Sequence, residues 1–221
     1  MKLFIDDANV RMIEWLCAYY PIDGVTTNPS ILARYGTKPV ETLKAIRKVI
    51  GKDRLLFVQT LSSEADKIMQ EARKISWEFK DNTVIKIPVV PEGLRAIEYL
   101  TKEGLEICAT AVYTPMQGYL AAKAGAKYIA PYVNRIDNLG YDGVGVAKTI
   151  QEIIENNDME AEVLAAAFRN SQQVLELCRF GIAACTASPE VITGFLKNAE
   201  VAAAVNGFAA DFAQISPKDW F

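Results

Sequence analysis

The sequence predicts an α/β protein folded as one closed (β/α)8 barrel. Three observations lead there. Short apolar runs alternate with helical patterns along all 221 residues, roughly one pair per 25 to 30 residues, and such alternation implies a parallel sheet. Eight pairs can be counted, and eight parallel strands close into a barrel. Polar residues gather at one end of the apolar runs, the C-terminal end where barrels of this kind do their chemistry.

The elements follow in order. Residues 3–6 form a first strand ending in Asp6-Asp7, and Asp7 or Asn9 can cap a helix reaching about Tyr20. A second strand, 24–27, stops at Asn28-Pro29-Ser30, where Pro29 holds Asn28 extended and opens a helix at Ile31. Lys38-Pro39-Val40 starts another helix, to about Ile50. The third strand is 54–60, and Ser62-Ser63-Glu64 reads as the cap of a charged helix to about Lys80. Residues 83–88, Thr-Val-Ile-Lys-Ile-Pro, form a fourth strand apolar enough to be buried on both faces. A helix over 92–102 leads to a fifth strand at 105–110, and a helix over 114–124 to a sixth at 126–132. A Gly-rich loop over 140–145 precedes a helix to Glu155. The seventh strand is 162–167, the eighth 181–185, and Ser188-Pro189-Glu190 opens the helix after it. The segment 199–212 reads as a last helix, and Trp220-Phe221 ends an aromatic tail. No linker divides the chain, so residues 1–221 are read as a single domain.

Composition narrows the function. A formal net charge of −3 leaves no basic face for nucleic acid. No apolar run is long enough to span a bilayer, and no basic–apolar–small-residue leader pattern begins the chain. Cys17, Cys108, Cys178 and Cys185 have no metal spacing and read as free thiols of a reducing, cytoplasmic compartment. There are no histidines. Imidazole-ligated metal and His-based triads or dyads are thereby excluded, and acid–base work falls to Asp, Glu, Tyr, Lys or water.

Lys86 sits in the middle of the fourth strand. Burying an ammonium without a partner costs several kcal/mol, and a buried amine favours its neutral form. A neutral amine in a pocket attacks carbonyls. The competing reading is a strand-end lysine that reaches water or pairs with an acid. The residues expected around it are Asp6, Thr26, Thr27, Asn28, Gln59, Thr110, Tyr132, Arg135, Arg169, Thr186 and Ser188. Each alone has an ordinary role, such as Thr110 capping a helix or Arg135 pairing with Asp137. Their gathering at one end of one barrel instead suits carbinolamine and imine chemistry.

Five ordered motifs carry a resemblance: Asp6, Gly-Val-Thr-Thr-Asn-Pro-Ser at 24–30, Val-Ile-Lys-Ile-Pro at 84–88, Thr-Ala-Val-Tyr at 110–113 and Ala-Pro-Tyr-Val-Asn-Arg-Ile-Asp at 130–137. Nearly end to end, the chain resembles the transaldolase family, and within it the short fructose-6-phosphate aldolase branch. The resemblance implies a Schiff-base aldol mechanism with no metal or cofactor and a sugar or sugar-phosphate substrate. It also implies a homo-oligomer, pentamer or decamer, in which the helix and tail over about 199–221 reach a neighbouring subunit. Carried over by position, Lys86 is the imine-forming lysine. Asp6, Gln59, Thr110 and Tyr132 join it in catalysis. Thr27, Asn28, Ala130, Arg135, Ala167 and Arg169 contact substrate. Gln59 and Tyr132 match the aldolase branch, whereas transaldolases carry Glu and Phe there. A transaldolase passing a dihydroxyacetone unit between sugar phosphates is the alternative. One position departs from the pattern: Ala167 stands where the family has a serine that helps Arg135 hold the phosphate.

Overall fold

The structure is a computed structural model, and it describes residues 1–36, 38–80 and 82–214. Eight parallel strands close a barrel in sequence order: β1 (Lys2–Asp6), β2 (Gly24–Thr26), β3 (Leu55–Gln59), β4 (Thr83–Pro88), β5 (Ile107–Val112), β6 (Tyr128–Pro131), β7 (Glu162–Ala165) and β8 (Ala184–Ala187), with β8 pairing back onto β1. The helices are α1 (Val10–Tyr19), α2 (Pro29–Arg34), α3 (Pro39–Ile50), α4 (Ala65–Phe79), α5 (Pro91–Lys102), α6 (Pro115–Lys123), α7 (Val133–Asp137), α8 (Gly143–Asn156), α9 (Ser171–Phe180), α10 (Pro189–Gly194) and α11 (Ala199–Phe212). The expected fold class is the observed one.

Alternation along each strand builds two cores. Outward residues pack against the helices, such as Ile5, Val25, Leu56 and Val58 on one side and Ile85, Ile87, Ile107 and Ile129 on the other. Inward residues form a separate plug of Phe4, Phe57, Val84, Cys108, Tyr128, Ala130, Leu164 and Ala184. Phe57 sits edge-on to both Phe4 and Tyr128, with centroids 5.2 and 5.3 Å apart. β2 contributes Gly24 to this side. A Cβ there would lie 2.2 Å from the Leu55 carbonyl oxygen, so only glycine lets β2 and β3 approach.

Boundaries differ from the sequence reading where the chain leaving a helix delays the start of the next strand. Gly181, expected in the eighth strand, terminates α9 in the left-handed conformation at φ 95°, and β8 begins three residues later. Leu105 N–H bonds the Leu100 carbonyl at the end of α5, so β5 starts at Ile107. The helix α4 is not capped by its serines. Glu92 accepts from Ala65 N–H, and Glu71 holds Ser62 by its N–H and hydroxyl. Asn9, not Asp7, caps α1. Helix α7 was not marked out by the sequence, and α9 was counted among the eight strand–helix pairs without limits. The aromatic tail at 220–221 lies outside the described residues.

Candidate active site

The period of two along a strand fixes the site. Stepping two residues past the plug, towards the strand ends, reaches Asp6 from Phe4, Thr26 from Gly24, Gln59 from Phe57, Lys86 from Val84, Thr110 from Cys108 and Tyr132 from Ala130. The same step reaches Ala166 from Leu164 and Thr186 from Ala184. The floor of the site is apolar and the next layer is polar.

Lys86 is 5 % exposed, and its Nζ donates to the Thr27 carbonyl at 3.0 Å. It forms no ion pair among the described residues. This disposes of the solvated or salt-bridged lysine. Backbone register sets Gln59 beside Lys86 on one side and Cys108 on the other. The Gln59 Oε1 atom is buried with no hydrogen-bond partner among the described residues. A buried acceptor left open at the mouth of a barrel suits a donor from substrate or water. Burial pushes the Cys108 thiol up to about 12, with the Lys86 charge acting the other way, so this neighbour is an inert wall.

Asp6 belongs to a chain of hydroxyls. Thr26 Oγ1 donates to Asp6 Oδ1 at 2.7 Å and lies 2.6 Å from Thr186 Oγ1. Thr26 has one proton and gives it to the carboxylate, so Thr186 must donate to Thr26. Burial raises the Asp6 pKa above the ordinary aspartate value, opposed chiefly by the Lys86 charge and then by the Thr26 hydrogen bond. Asp6 and Lys86 thus sense each other across the mouth.

Opposite, Tyr132 and Thr110 share a hydrogen bond of 2.8 Å. The Tyr132 ring is held edge-on by Tyr113 at 5.7 Å and covered by the Arg135 guanidinium at 4.4 Å. Asp137 does not pair with Arg135: its two oxygens accept from Gly143 N–H at 2.7 Å and Gln173 Nε2 at 2.6 Å. The strand tip carrying Thr110 is irregular. The β5–β6 ladder shifts register between Ala109 and Val112, and Ala111 takes a left-handed φ of 57°.

The remaining expected residues divide. Asn28 Oδ1 caps α2 by accepting from Ile31 N–H at 2.9 Å, which leaves its Nδ2 as donor to the mouth. Ala130 is part of the plug. The Thr27 hydroxyl is fully buried and spent on the Phe57 carbonyl at 2.9 Å, so Thr27 meets the site through its own carbonyl. Ala167 has φ 59° and lines a cleft of about 240 Å3 with Asp6, Asn28, Arg135 and Ser188. Arg169 is exposed and does not line that cleft; its N–H donates to Gln173 Oε1 at 2.8 Å. Asp7, Ser30, Arg34 and Tyr35 line it too, and of these the sequence singled out only Asp7 and Ser30, both as helix starts. No spacing rule could have placed Arg34, because it reaches the mouth from the far end of α2. Among the described residues no group of three acidic or thiol side chains is placed to hold a metal ion.

A closed parallel barrel with one buried amine at its catalytic end, faced by a carboxyl group and a tyrosine, is the frame of an enzyme that makes and breaks bonds beside a carbonyl. A family model described as Transaldolase/Fructose-6-phosphate aldolase matches residues 3–218. The chain belongs to that family, whose members are lyases and transferases of the Schiff-base aldolase and transaldolase type.

Proposed function

We propose that the protein is a class I aldolase, cleaving fructose 6-phosphate to dihydroxyacetone and glyceraldehyde 3-phosphate or running that reaction in reverse, in the cytoplasm. The observation that carries the reading is the Tyr132–Thr110 hydroxyl pair at 2.8 Å, with Thr110 on β5, the strand paired with the Lys86 strand β4. A phenol held there can take and return a proton, which suits an enzyme that releases its product without waiting for an acceptor.

The cycle runs as follows. The free Lys86 amine adds to the C2 ketone, and the carbinolamine loses water, with Asp6 supplying and removing protons. The resulting iminium is the electron sink. The C4 hydroxyl gives its proton to a water that the Tyr132 hydroxyl holds, the C3–C4 bond breaks, and its electron pair forms the enamine, which later takes a proton back from that water at C3. Glyceraldehyde 3-phosphate leaves. The enamine is protonated at C3 and hydrolysed to dihydroxyacetone, which frees Lys86. Asn28 Nδ2 holds the donor hydroxyls, and Gln59 and Thr110 hold a water beside Tyr132.

We also propose that the protein works as a homo-oligomer, a pentamer or decamer. Helix α11 has no buried residue, and Val201, Val205 and Phe208 are 57 %, 58 % and 71 % exposed on one stripe. A helix apolar on an unburied face suits packing on a neighbouring subunit.

The test is incubation with fructose 6-phosphate alone, glyceraldehyde 3-phosphate being followed through a coupled NADH assay. Sustained release that disappears in Lys86→Met supports the aldolase. Turnover only after erythrose 4-phosphate is added would make it a transaldolase.

A further inference from the structure

The strand that carries Gln59 leaves the barrel through a turn with no apolar anchor. The Gln59 side chain is untethered at its tip, since Oε1 is buried with no hydrogen-bond partner among the described residues. Its place beside Lys86 therefore comes from the backbone on either side of it. Before it runs the β3–β4 ladder, and after it come Thr60, Leu61 and Ser62. Thr60 closes onto the reactive strand: its N–H and its hydroxyl both donate to the Lys86 carbonyl, at 3.1 and 3.4 Å. Leu61 is 74 % exposed, so packing does not hold the next step of the chain. Glu71, in the second turn of α4, holds it instead. Its Oε2 accepts from the N–H groups of Leu61 and Ser62 at 2.7 and 3.1 Å, and its Oε1 accepts from the Ser62 hydroxyl at 2.6 Å. Burial would raise the Glu71 carboxyl, but the Ser62 hydroxyl, the two N–H groups and then the Lys74 charge outweigh it and hold the carboxyl below its ordinary value. All three donors thus meet a full negative charge. Glu92 reaches the same loop but accepts from Ala65 N–H, at the start of α4.

We propose that Glu71 is a positioning residue for the carbon–carbon cleavage step, its carboxylate fixing the turn after β3 so that Gln59 keeps its water beside Tyr132 and Lys86. The inference rests on the aldolase reading above. A side chain at a strand end moves with its backbone, and Gln59 has no second tether to correct a shift. A displacement of about 1 Å at a reacting group can cost about 10²-fold in rate. A carboxylate suits the task because three donors converge on it, and hydrogen bonds to an ionised acceptor are about twice as strong as those between neutral groups. The anchor point is rigid as well. Ile68 and Ala72, on either side of Glu71 along α4, are buried in the helix–barrel core. The stiffness of the barrel wall is thereby passed to a turn that packing leaves free.

Two measurements decide it. The first sets cleavage of fructose 6-phosphate beside borohydride trapping of dihydroxyacetone on Lys86. Glu71→Ala should lower kcat about 10- to 100-fold with KM within about threefold, while trapping stays at the unsubstituted level. In Glu71→Gln the amide carbonyl can take both N–H groups and Nε2 can donate to the Ser62 hydroxyl, so at least about half of kcat should return. Ser62→Ala, which removes one bond and leaves α4 untouched, should fall between. Glu92→Ala, which frees Ala65 N–H alone, should lower Tm and keep kcat within about twofold. In a Gln59→Ala background, Glu71→Ala should change kcat by less than about twofold, because it acts through Gln59. Losses that multiply in the double variant, trapping that falls in step with kcat, or an equal loss in Glu92→Ala would each overturn the proposal. The second measurement needs no turnover. Amide exchange of the peptide over 59–62, read by mass spectrometry, should speed up about tenfold or more in Glu71→Ala and stay slow in Glu71→Gln. Unchanged exchange in Glu71→Ala overturns the proposal as well. If the unsubstituted protein releases nothing from fructose 6-phosphate alone, the aldolase reading is wrong, and the exchange measurement still decides whether Glu71 holds the turn.

Discussion

Tyr132 is the residue on which the proposed cleavage step turns. Its hydroxyl touches Thr110 at 2.8 Å and its ring lies under Arg135 at 4.4 Å. Tyr132→Phe keeps the ring and its stacking, so the fold and the imine should survive. The cleavage step loses its proton carrier, and kcat with fructose 6-phosphate should fall by about 10²- to 10⁴-fold. Retention of full activity would remove Tyr132 from the mechanism. Asp6 is testable by pH. Its folded-state pKa is raised by burial, so ionising it opposes folding. The stability tied to its protonated form is present below the unfolded-state value and is lost as pH rises through the folded one. Asp6→Asn should therefore melt at higher temperature than the unsubstituted protein at pH 7. The gap should narrow as pH falls towards 4, and activity should drop about 10²-fold. A variant less stable at pH 7 would mean that the Lys86 and Thr26 interactions outweigh burial. Much of this was legible beforehand. A lysine among Val and Ile, with polar residues at strand ends, declares a layer because side chains alternate with period two. Thr27 was not legible. Whether an adjacent threonine offers its hydroxyl or its carbonyl depends on where the neighbouring strand leaves an open acceptor, here Phe57.

At the scale of elements, barrel closure depends on tight strand pairs. Gly24→Ala would drive a Cβ to 2.2 Å from the Leu55 carbonyl oxygen, and the obstacle is backbone. The substitution should destabilise by about 3 kcal/mol and lower Tm by roughly 6 to 12 °C. A melt within 2 °C of the unsubstituted protein would show that β2 and β3 can part without cost. Strand existence was readable, and β4 was readable to the residue, because apolar β-branched runs have no competing helical period. Ends were less so. The start of β8 depends on how far α9 runs before Gly181 stops it, and a glycine between two apolar stretches fits either element. Helix α7 is five residues long and follows directly on β6, too short for any periodicity to reveal. That short turn is nevertheless what carries Arg135 over Tyr132.

The whole molecule has one element that the single chain does not explain. Helix α11 stands with its apolar stripe uncovered, while every barrel strand is buried on both faces by plug and helices. Light scattering should give a mass well above the 24.4 kDa of one chain. Paired Val205→Glu and Phe208→Glu substitutions should shift it to smaller species with the circular dichroism of the barrel intact. A monomeric unsubstituted protein would overturn the oligomer. Sequence reasoning found the helix and its limits, since an Ala-rich segment with no proline and only Gly207 to interrupt it announces itself. It could not say what the stripe meets, because no residue pattern encodes which copy of the chain lies alongside.

Two alanines, Ala111 and Ala167, hold left-handed backbone at φ 57° and 59° where β5 and β7 give way to the catalytic rim. An L-residue with a Cβ sits there at a cost of about 1 to 2 kcal/mol, and branching at Cβ makes it worse. These positions therefore limit how the enzyme can be diversified. A randomised library at 111 and 167 should yield folded clones that are mostly Gly, Asn, Asp, Ser or Ala, with Val, Ile and Thr nearly absent, so a new acceptor pocket must come from the α2 wall around Arg34 and Tyr35 instead.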